Sequence, residues 1–144
     1  MPLAHTTSPA LVDAGIPQQA IKLLPFFPTV LTKLGAQGVL LVQVVKADDP
    51  VLRSEEEGRY VLARCRNGDG EVGGLYVRLY AAEEVPREEI VSVNGCGDTF
   101  VGAVATGLAR GREVRDCVSG AVTAAALTLR SGESVSPRLK GLVL

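Results

Sequence analysis

The stretch VSVNGCGDTF, residues Val91–Phe100, carries the most information about the fold and chemistry of this 144-residue chain. A β-prone run ends in Gly-Cys-Gly, and a helical pattern begins at once. Glycines let a ligand approach the backbone closely because no Cβ intervenes. The first turn of a helix also presents unpaired N–H groups and the positive end of the helix dipole. The stretch therefore predicts an anion site suited to phosphate.

Asp98, in the first turn of that helix, allows two interpretations. A carboxylate at this place is favoured by the dipole and needs no catalytic role. Alternatively, Asp98 accepts a proton from an attacking hydroxyl while the N–H groups hold the phosphoryl group, as phosphoryl transfer requires. The chain has no GxxxxGK[ST] segment, and its Gly-Cys-Gly lacks the third glycine of GxGxxG, which argues against a P-loop and a dinucleotide-binding turn.

The residues before this stretch alternate short helical and extended patterns. The predicted elements are a disordered leader over residues 1–15, a short helix over Gln18–Leu24, a strand over Thr29–Leu34, a turn at Gly35–Gly38 and a buried strand over Val39–Val45. The acidic segment Ala47–Gly58 is predicted to be a solvated loop.

A hairpin is predicted from the Asn-Gly-Asp-Gly turn at Asn67–Gly70, between strands at Tyr60–Ala63 and Leu75–Tyr80. In the second strand Leu75, Val77 and Leu79 alternate with Tyr76, Arg78 and Tyr80. Such alternation predicts one buried face and one face in water.

Two apolar stripes at helical spacing follow the glycine-rich turn. The first comprises Val101, Val104, Ala105 and Leu108 and ends at Gly111, and the second comprises Val114, Val118, Ala121, Val122, Ala125 and Leu129 and ends at Ser131. Strands followed by such a turn and two helices are typical of a layered α/β unit.

Composition narrows the classes of partner. The hydrophobic fraction of 47% allows a packed core, and a formal net charge of -1 argues against nucleic acid or an anionic membrane surface as partner. The longest apolar run, Val39–Val45, is far shorter than the roughly 20 residues of a membrane span. Cys65, Cys96 and Cys117 are odd in number and widely spaced, so we expect reduced thiols in an intracellular, cytoplasmic protein.

The segment Asn94–Ala103 resembles the second signature of the PfkB/ribokinase family of small-molecule kinases, D-T-x-G-A-G-D-x-F. The resemblance implies an α/β three-layer ribokinase-like fold, with residues 16–144 as the C-terminal part of the kinase domain. It also implies that Gly95, Cys96 and Gly97 form the anion hole and that Asp98 is the catalytic base.

Two further segments are similar to the family's nucleotide-binding elements. Thr32–Leu41 looks like its T-x-G-x-x-G hairpin, and Gly120–Ala126 looks like its small-residue helix beside adenine. Plain turn geometry and close helix packing explain these residues as well. The residues implied as nucleotide-binding are Lys33, Gly35, Gly38, Asn94, Ala121 and Ala125.

The resemblance implies ATP and Mg²⁺ as cofactors, with magnesium ligands that the sequence does not identify. Ser92 stands where many family members have an aspartate that helps bind a monovalent cation, so potassium activation is not predicted. Cys96 replaces the alanine between the glycines. The N-terminal half of the family fold, which holds the sugar, has no counterpart in this sequence.

Within the family, this sequence is most similar to pseudouridine kinases, including the kinase halves of bifunctional proteins that also carry a pseudouridine-5′-phosphate glycosidase. The expected reaction is transfer of phosphate from ATP to an alcohol group of a nucleoside or sugar, with the 5′-OH of pseudouridine as the expected acceptor. The alternatives are a kinase for another sugar such as ribose or fructose phosphate, and a non-catalytic nucleotide-binding or truncated fragment. The missing half, or a second copy of the chain, is the expected protein partner.

Overall fold

The computed structural model describes residues 2–65 and 71–142, which divide into two compact units. The first comprises Met1–Thr32 and Leu40–Leu79, and the second comprises Lys33–Val39 and Tyr80–Leu144. Each unit is described by itself below.

The first unit contains three short helices and most of a four-stranded sheet. The helices are α1 (Pro2–Thr6), α2 (Pro9–Asp13) and α3 (Ile16–Lys22), and the strands are β1 (Thr29–Lys33), β2 (Val39–Lys46), β3 (Val61–Arg64) and β4 (Val72–Tyr80). The strand order is β1-β2-β4-β3. The positions of α3, β1 and β2 agree with the sequence pattern.

The predicted disorder of residues 1–15 does not hold for the described part of that segment. Ser8 begins α2 by accepting a hydrogen bond from the backbone N–H of Leu11, and Pro9 occupies the first helical position, where its missing N–H costs nothing. Leu11 is only 2% exposed. Burial of this side chain, together with a capped start, explains the order.

The predicted hairpin forms between β3 and β4, which pair antiparallel with Val61 opposite Tyr76 and Arg64 opposite Gly74. Its turn at Asn67–Gly70 lies outside the described residues. The expectation of one wet face on β4 is wrong, because Tyr76 and Val77 are both fully buried although they point to opposite sides of the strand.

An ion-pair cluster accounts for the burial of the tyrosine face. The hydroxyl of Tyr76 donates to Glu57 at 2.7 Å, and the guanidinium of Arg78 also donates to Glu57 at 2.7 Å. Arg78 in turn lies 4.5 Å from the centre of the Tyr60 ring, within range of a cation–π interaction. The acidic run predicted that Glu57 lies in a solvated loop. That prediction is wrong for Glu57, because its carboxylate accepts hydrogen bonds from Tyr76 and Arg78.

The second unit contains α4 (Cys96–Ala109) and α5 (Val114–Leu129). Gly111 adopts a left-handed φ of +76° beyond the end of α4, as predicted for a C-terminal cap. The predicted apolar stripe of α4 is wrong in part, because Val101 and Leu108 are about half exposed.

The buried face of α4 is built from smaller side chains. It comprises Thr99, Phe100, Ala103, Val104 and Gly107. A Cβ on Gly107 would lie 2.4 Å from the Sγ of Cys117, so the glycine lets α5 approach closely. In the described ranges, no helix has both the length and the hydropathy needed to cross a bilayer.

We expect Tyr76→Phe to lower the free energy of unfolding by about 1–2 kcal/mol, because it deletes a partly buried hydrogen bond to a carboxylate and keeps the ring. Urea unfolding of the 144-residue chain measures the change. Tyr60→Phe is the matched control: its hydroxyl forms no hydrogen bond with the described residues, so the stability should move by a few tenths of that amount. Equal effects of the two substitutions would contradict the role given to Glu57.

Candidate nucleotide site

The helix α4 starts at a left-handed glycine. Gly95 has φ +78° and precedes the first helical residue, Cys96. The N–H of Thr99 donates to the carbonyl of Gly95 at 2.8 Å, which is the first hydrogen bond of the helix. The N–H groups ahead of it, on Cys96, Gly97 and Asp98, have no helical acceptor, and the positive end of the dipole lies there.

Gly95 is also required by packing. A Cβ built on it would lie 1.8 Å from the carbonyl oxygen of Ser134. No other residue fits this combination of positive φ and backbone contact. The first glycine of the predicted anion hole therefore fixes the helix start against the segment that follows α5.

Gly97 provides the close approach that the sequence predicts for these glycines, without a left-handed backbone. It lies within α4, and its φ is not left-handed. What it provides is room, because a Cβ at this position would lie 2.7 Å from the Nζ of Lys33. The ammonium group of Lys33 thus lies directly beside the first turn of α4.

A cavity of ≈ 930 Å³ opens within the second unit. Most of the lining surface is apolar, and the charged groups in it are the ammonium of Lys33 and the carboxylates of Glu83 and Glu84. Its volume is at the upper end of the range of small-molecule sites, roughly 300–1,000 Å³.

The cavity brings together many of the residues that the sequence singles out. Those that line it are Lys33, Gly35, Gly38, Cys96, Gly97 and Ala125. Gly35 and Gly38 adopt φ of +58° and +101°, as predicted for that turn. A Cβ on Gly38 would overlap the carbonyl oxygen of Tyr80 at 2.0 Å, so this glycine allows the turn to pack on the end of β4.

Four predicted residues do not line the cavity: Asn94, Gly95, Asp98 and Ala121. Asn94 is exposed, and its backbone N–H donates to the hydroxyl of Ser92 at 3.1 Å. Ala121 is fully buried in α5. The wall that α5 contributes is instead formed around Ala125, by Val122, Ala126 and Leu129.

Asp98 lies in the first turn of α4, directly after the lining residue Gly97. Its side chain is exposed. Within residues 2–65 and 71–142, no side chain forms a hydrogen bond or ion pair with its carboxylate. The carboxylate is therefore accessible to a ligand.

Cys96 is a wall residue of low reactivity. Burial raises the pKa of its thiol, although a hydrogen bond from its own backbone partly offsets the effect. Because the thiolate is the reactive form, a raised pKa leaves less nucleophile at neutral pH.

Sequence reasoning missed the segment Ala82–Pro86, all of which lines the cavity. It has no regular secondary structure, and its two glutamates resemble those of any solvated loop. The signal that could have indicated this segment is its place between a strand and the glycine-rich turn. Glu83 forms an ion pair with Arg130, a residue far along the chain that no local pattern indicates.

Residues 69–140 match the model of the pfkB family carbohydrate kinases. A pseudouridine-metabolizing bifunctional protein of Schizosaccharomyces pombe is 30% identical over 133 residues, which cover 92% of this chain and 16% of that protein.

Solved ribokinases have a similar fold. The Thermotoga maritima enzyme aligns with a TM-score of 0.53 at 22% identity over 84% of this chain and 31% of its own. The Cryptococcus neoformans enzyme, in complex with ADP, aligns with a TM-score of 0.58 at 18% identity, over 89% of this chain and 34% of its own. The Arabidopsis thaliana enzyme, in complex with ribose and ATP, aligns with a TM-score of 0.55 at 22% identity, over 85% of this chain and 31% of its own. The predicted ribokinase-like α/β fold, present in part, is thus confirmed, and the chain spans about a third of these ribokinases.

We expect Gly95→Ala to lower the free energy of unfolding by about 2 kcal/mol or more, because it adds both backbone strain and an overlap with Ser134. Thermal or urea unfolding measures the loss. Gly102→Ala is the matched control in the same helix: a Cβ there meets nothing within 4 Å, so alanine should stabilise α4 by up to about 1 kcal/mol. A neutral Gly95→Ala would show that the helix start is not fixed as described.

Proposed function

The chain belongs to the pfkB family of carbohydrate kinases, and on that premise we propose that it forms the nucleotide-binding and catalytic part of an ATP-dependent kinase. The acceptor is an alcohol group of a nucleoside or sugar. The observation that carries the proposal is the start of α4, where N–H groups without helical acceptors and the ammonium of Lys33 adjoin a cavity of ≈ 930 Å³, and the exposed Asp98 directly follows the lining residue Gly97.

The described residues fit ATP. The apolar wall around Ala125 suits the faces of an adenine ring, and the glycines at positions 35, 38 and 97 leave room for backbone approach. Lys33 and the N–H groups of Cys96, Gly97 and Asp98 supply positive charge for the phosphates. When bound, ATP supplies the phosphoryl group that is transferred.

Asp98 acts as the base in this proposal. Its carboxylate accepts the proton that the acceptor hydroxyl loses as its oxygen bonds to the γ-phosphorus and the bond to the ADP oxygen breaks. The adjacent N–H groups and Lys33 stabilise the charge on the phosphoryl oxygens. The exposed position of Asp98, directly after the lining residue Gly97, leaves it open to an acceptor.

Magnesium is implied by the family resemblance, and the described residues do not form a dedicated cage for it. Among them, no group of three or more His, Cys, Asp or Glu side chains lies together. Mg²⁺ in kinases often depends on substrate phosphates and water with only one or two carboxylates. If Mg²⁺ binds with ATP, the nucleotide phosphates and water would therefore supply most of its ligands.

Pseudouridine is the acceptor we favour. The support is the similarity to the pseudouridine-metabolizing protein of fission yeast and the resemblance of several segments to that branch. These segments are Leu23–Thr29, Val72–Tyr76, Glu89–Gly95 and Ser134–Pro137. A panel of pseudouridine, ribose, fructose phosphate and adenosine separates this substrate from the other acceptors.

A nucleotide-binding fragment without turnover is the second candidate. It is favoured by the chain's spanning only 31–34% of the ribokinases it resembles. Nucleotide binding without phosphate transfer, and without rescue by the remainder of the fold, would support it over the kinase.

We expect Asp98→Asn to lower kcat by roughly 10²–10⁴, because an amide cannot accept a proton at neutral pH. The substitution is made in a form of the protein long enough to turn over. Stability should change by about 1 kcal/mol or less, and ATP affinity should persist because a negative charge near the phosphates has gone. Steady-state kinetics, calorimetry and melting temperature are measured together.

Asp116→Asn is the matched control for this experiment. Asp116 occupies the same position in the first turn of α5 that Asp98 occupies in α4. It should share any effect on helix stability and leave kcat unchanged. Turnover by the Asp98 variant within a few-fold of wild type would mean that Asp98 only stabilises the helix start.

We expect ADP to protect Cys96 from alkylation, because this thiol lines the cavity. At ADP ten times its Kd, modification of Cys96 by iodoacetamide should slow about tenfold. Mass spectrometry of peptides from the 144-residue chain follows each thiol. Since burial raises the pKa of Cys96, the reaction is run at mildly alkaline pH, where its thiolate fraction is larger.

Exposed Cys65, which belongs to the first unit, is the internal control and should react at the same rate with and without ADP. Equal rates at Cys96 in the two conditions would place the nucleotide elsewhere.

A further inference from the structure

Arg130 lies just beyond the end of α5 and bridges two glutamates that are far away in sequence. Its Nε donates to the Oε2 of Glu89 at 2.8 Å, and its Nη1 donates to the Oε1 of Glu83 at 3.0 Å. A guanidinium can serve two carboxylates at once because its N–H groups form a rigid planar fork.

Both glutamates belong to the segment that forms one wall of the cavity. Glu83 lines the cavity itself, and Glu89 lies at the end of a short 3-10 turn, Arg87–Glu89, directly before the lining residue Ile90. Apart from that turn, residues 81–93 have no regular secondary structure. Side-chain contacts therefore decide where this wall lies.

The main chain ties the same segment to the same end of α5. The N–H groups of Val91 and Ser92 both donate to the carbonyl of Leu129, at 2.9 and 3.3 Å. These bonds hold the far end of the wall, and its near end leaves β4 at Tyr80, where the backbone packs against Gly38. Glu83 lies between these two ends, and its salt bridge to Arg130 supplies a further fixed point there.

We propose that Arg130 is a positioning residue for nucleotide binding: it holds the wall formed by residues 82–90 in the conformation that admits the nucleotide. The proposal rests on the proposed function. Arg130 does not itself line the cavity, so its effect reaches the ligand through Glu83 and its neighbours.

The ion pairs are stronger candidates for this role than isolated surface pairs. An exposed pair often contributes little, because two long side chains must be ordered for one contact. Here one arginine, 23% exposed, serves two partners, so the cost of ordering it is shared. Hydrogen bonds to Glu89 and Glu83 also raise the pKa of Arg130, as expected for a guanidinium that both carboxylates stabilise.

The role predicts a particular split in the kinetic constants. A change in the wall alters how well the nucleotide is held in ground state and transition state alike, which raises KM and Kd and leaves kcat nearly unchanged. A loss confined to kcat would instead indicate direct participation in phosphoryl transfer.

The experiment measures ADP affinity by calorimetry and amide hydrogen exchange of residues 82–90, both on the complete 144-residue chain. For Arg130→Met we expect the Kd for ADP to rise by about threefold to tenfold, and exchange in residues 82–90 to accelerate by a similar factor. Exchange in α4 should not change. Arg138→Met, at an exposed arginine outside the cavity wall, is the matched control and should alter neither quantity.

Two further variants keep the test decisive if Arg130→Met is unstable. Glu89→Gln removes one of the two bridges at a residue that does not line the cavity, and it should produce a smaller rise in Kd. Combined with Arg130→Met, it should add little, because the two substitutions remove a shared interaction. Arg130→Lys keeps the charge but lacks the fork, so it should recover the affinity in part.

The outcomes are distinguishable. If the wild-type chain binds ADP, and both Arg130→Met and Glu89→Gln bind it equally well with unchanged exchange in residues 82–90, the positioning role is wrong and the nucleotide site stands. If the wild-type chain binds no ADP, the proposed function fails and this inference fails with it. Fully additive effects of the two substitutions would also overturn the shared role.

Discussion

The contact between Gly95 and the carbonyl of Ser134 is the constraint on which the rest of the candidate site depends. Because the backbone of residue 95 is left-handed and lies against another backbone, α4 can start at only one place. That start determines which N–H groups remain without helical acceptors, and it places Gly97 beside the ammonium of Lys33. It also places Asp98 in the first turn of the helix, directly after Gly97. One contact therefore sets the position of the anion site, its cation and the proposed base.

A buried polar network holds the partner in that contact. The hydroxyl groups of Thr99 and Thr128 lie 3.0 Å apart, and the N–H of Ser136 donates to Thr128 at 3.4 Å. A satisfied network in a poorly hydrated interior favours one arrangement because any displacement leaves a polar group unpaired. The network thus fixes the register of α4 against α5 together with the segment that meets Gly95.

The sequence predicts features that depend on neighbours along the chain and misses those that depend on distant partners. The helix start at the glycine-rich turn before Asp98, the pairing of β3 with β4 and the left-handed Gly35, Gly38 and Gly111 are all local, and all are present. The β-prone run Val91–Val93 before that turn does not form a strand. The burial of Tyr76 requires Glu57, and the wall containing Glu83 requires Arg130. Likewise, helical spacing shows that α4 has an apolar face. It does not show that Gly107 is buried while Leu108 is exposed, which follows from the close approach of Cys117 to Gly107.

The charges around the cavity suggest why Arg130 is suited to its place. Carboxylates in the wall of a site that receives a polyphosphate oppose binding, and the opposition grows where water is excluded. Pairing Glu83 with Arg130 neutralises one of them while also fixing the wall, so position and charge act in the same direction. The effects of position and charge differ at Glu89, which helps to fix the wall but does not line the cavity. A glutamate at 89 that matters for nucleotide affinity therefore argues for geometry, because removing its negative charge should by electrostatics alone favour the phosphates.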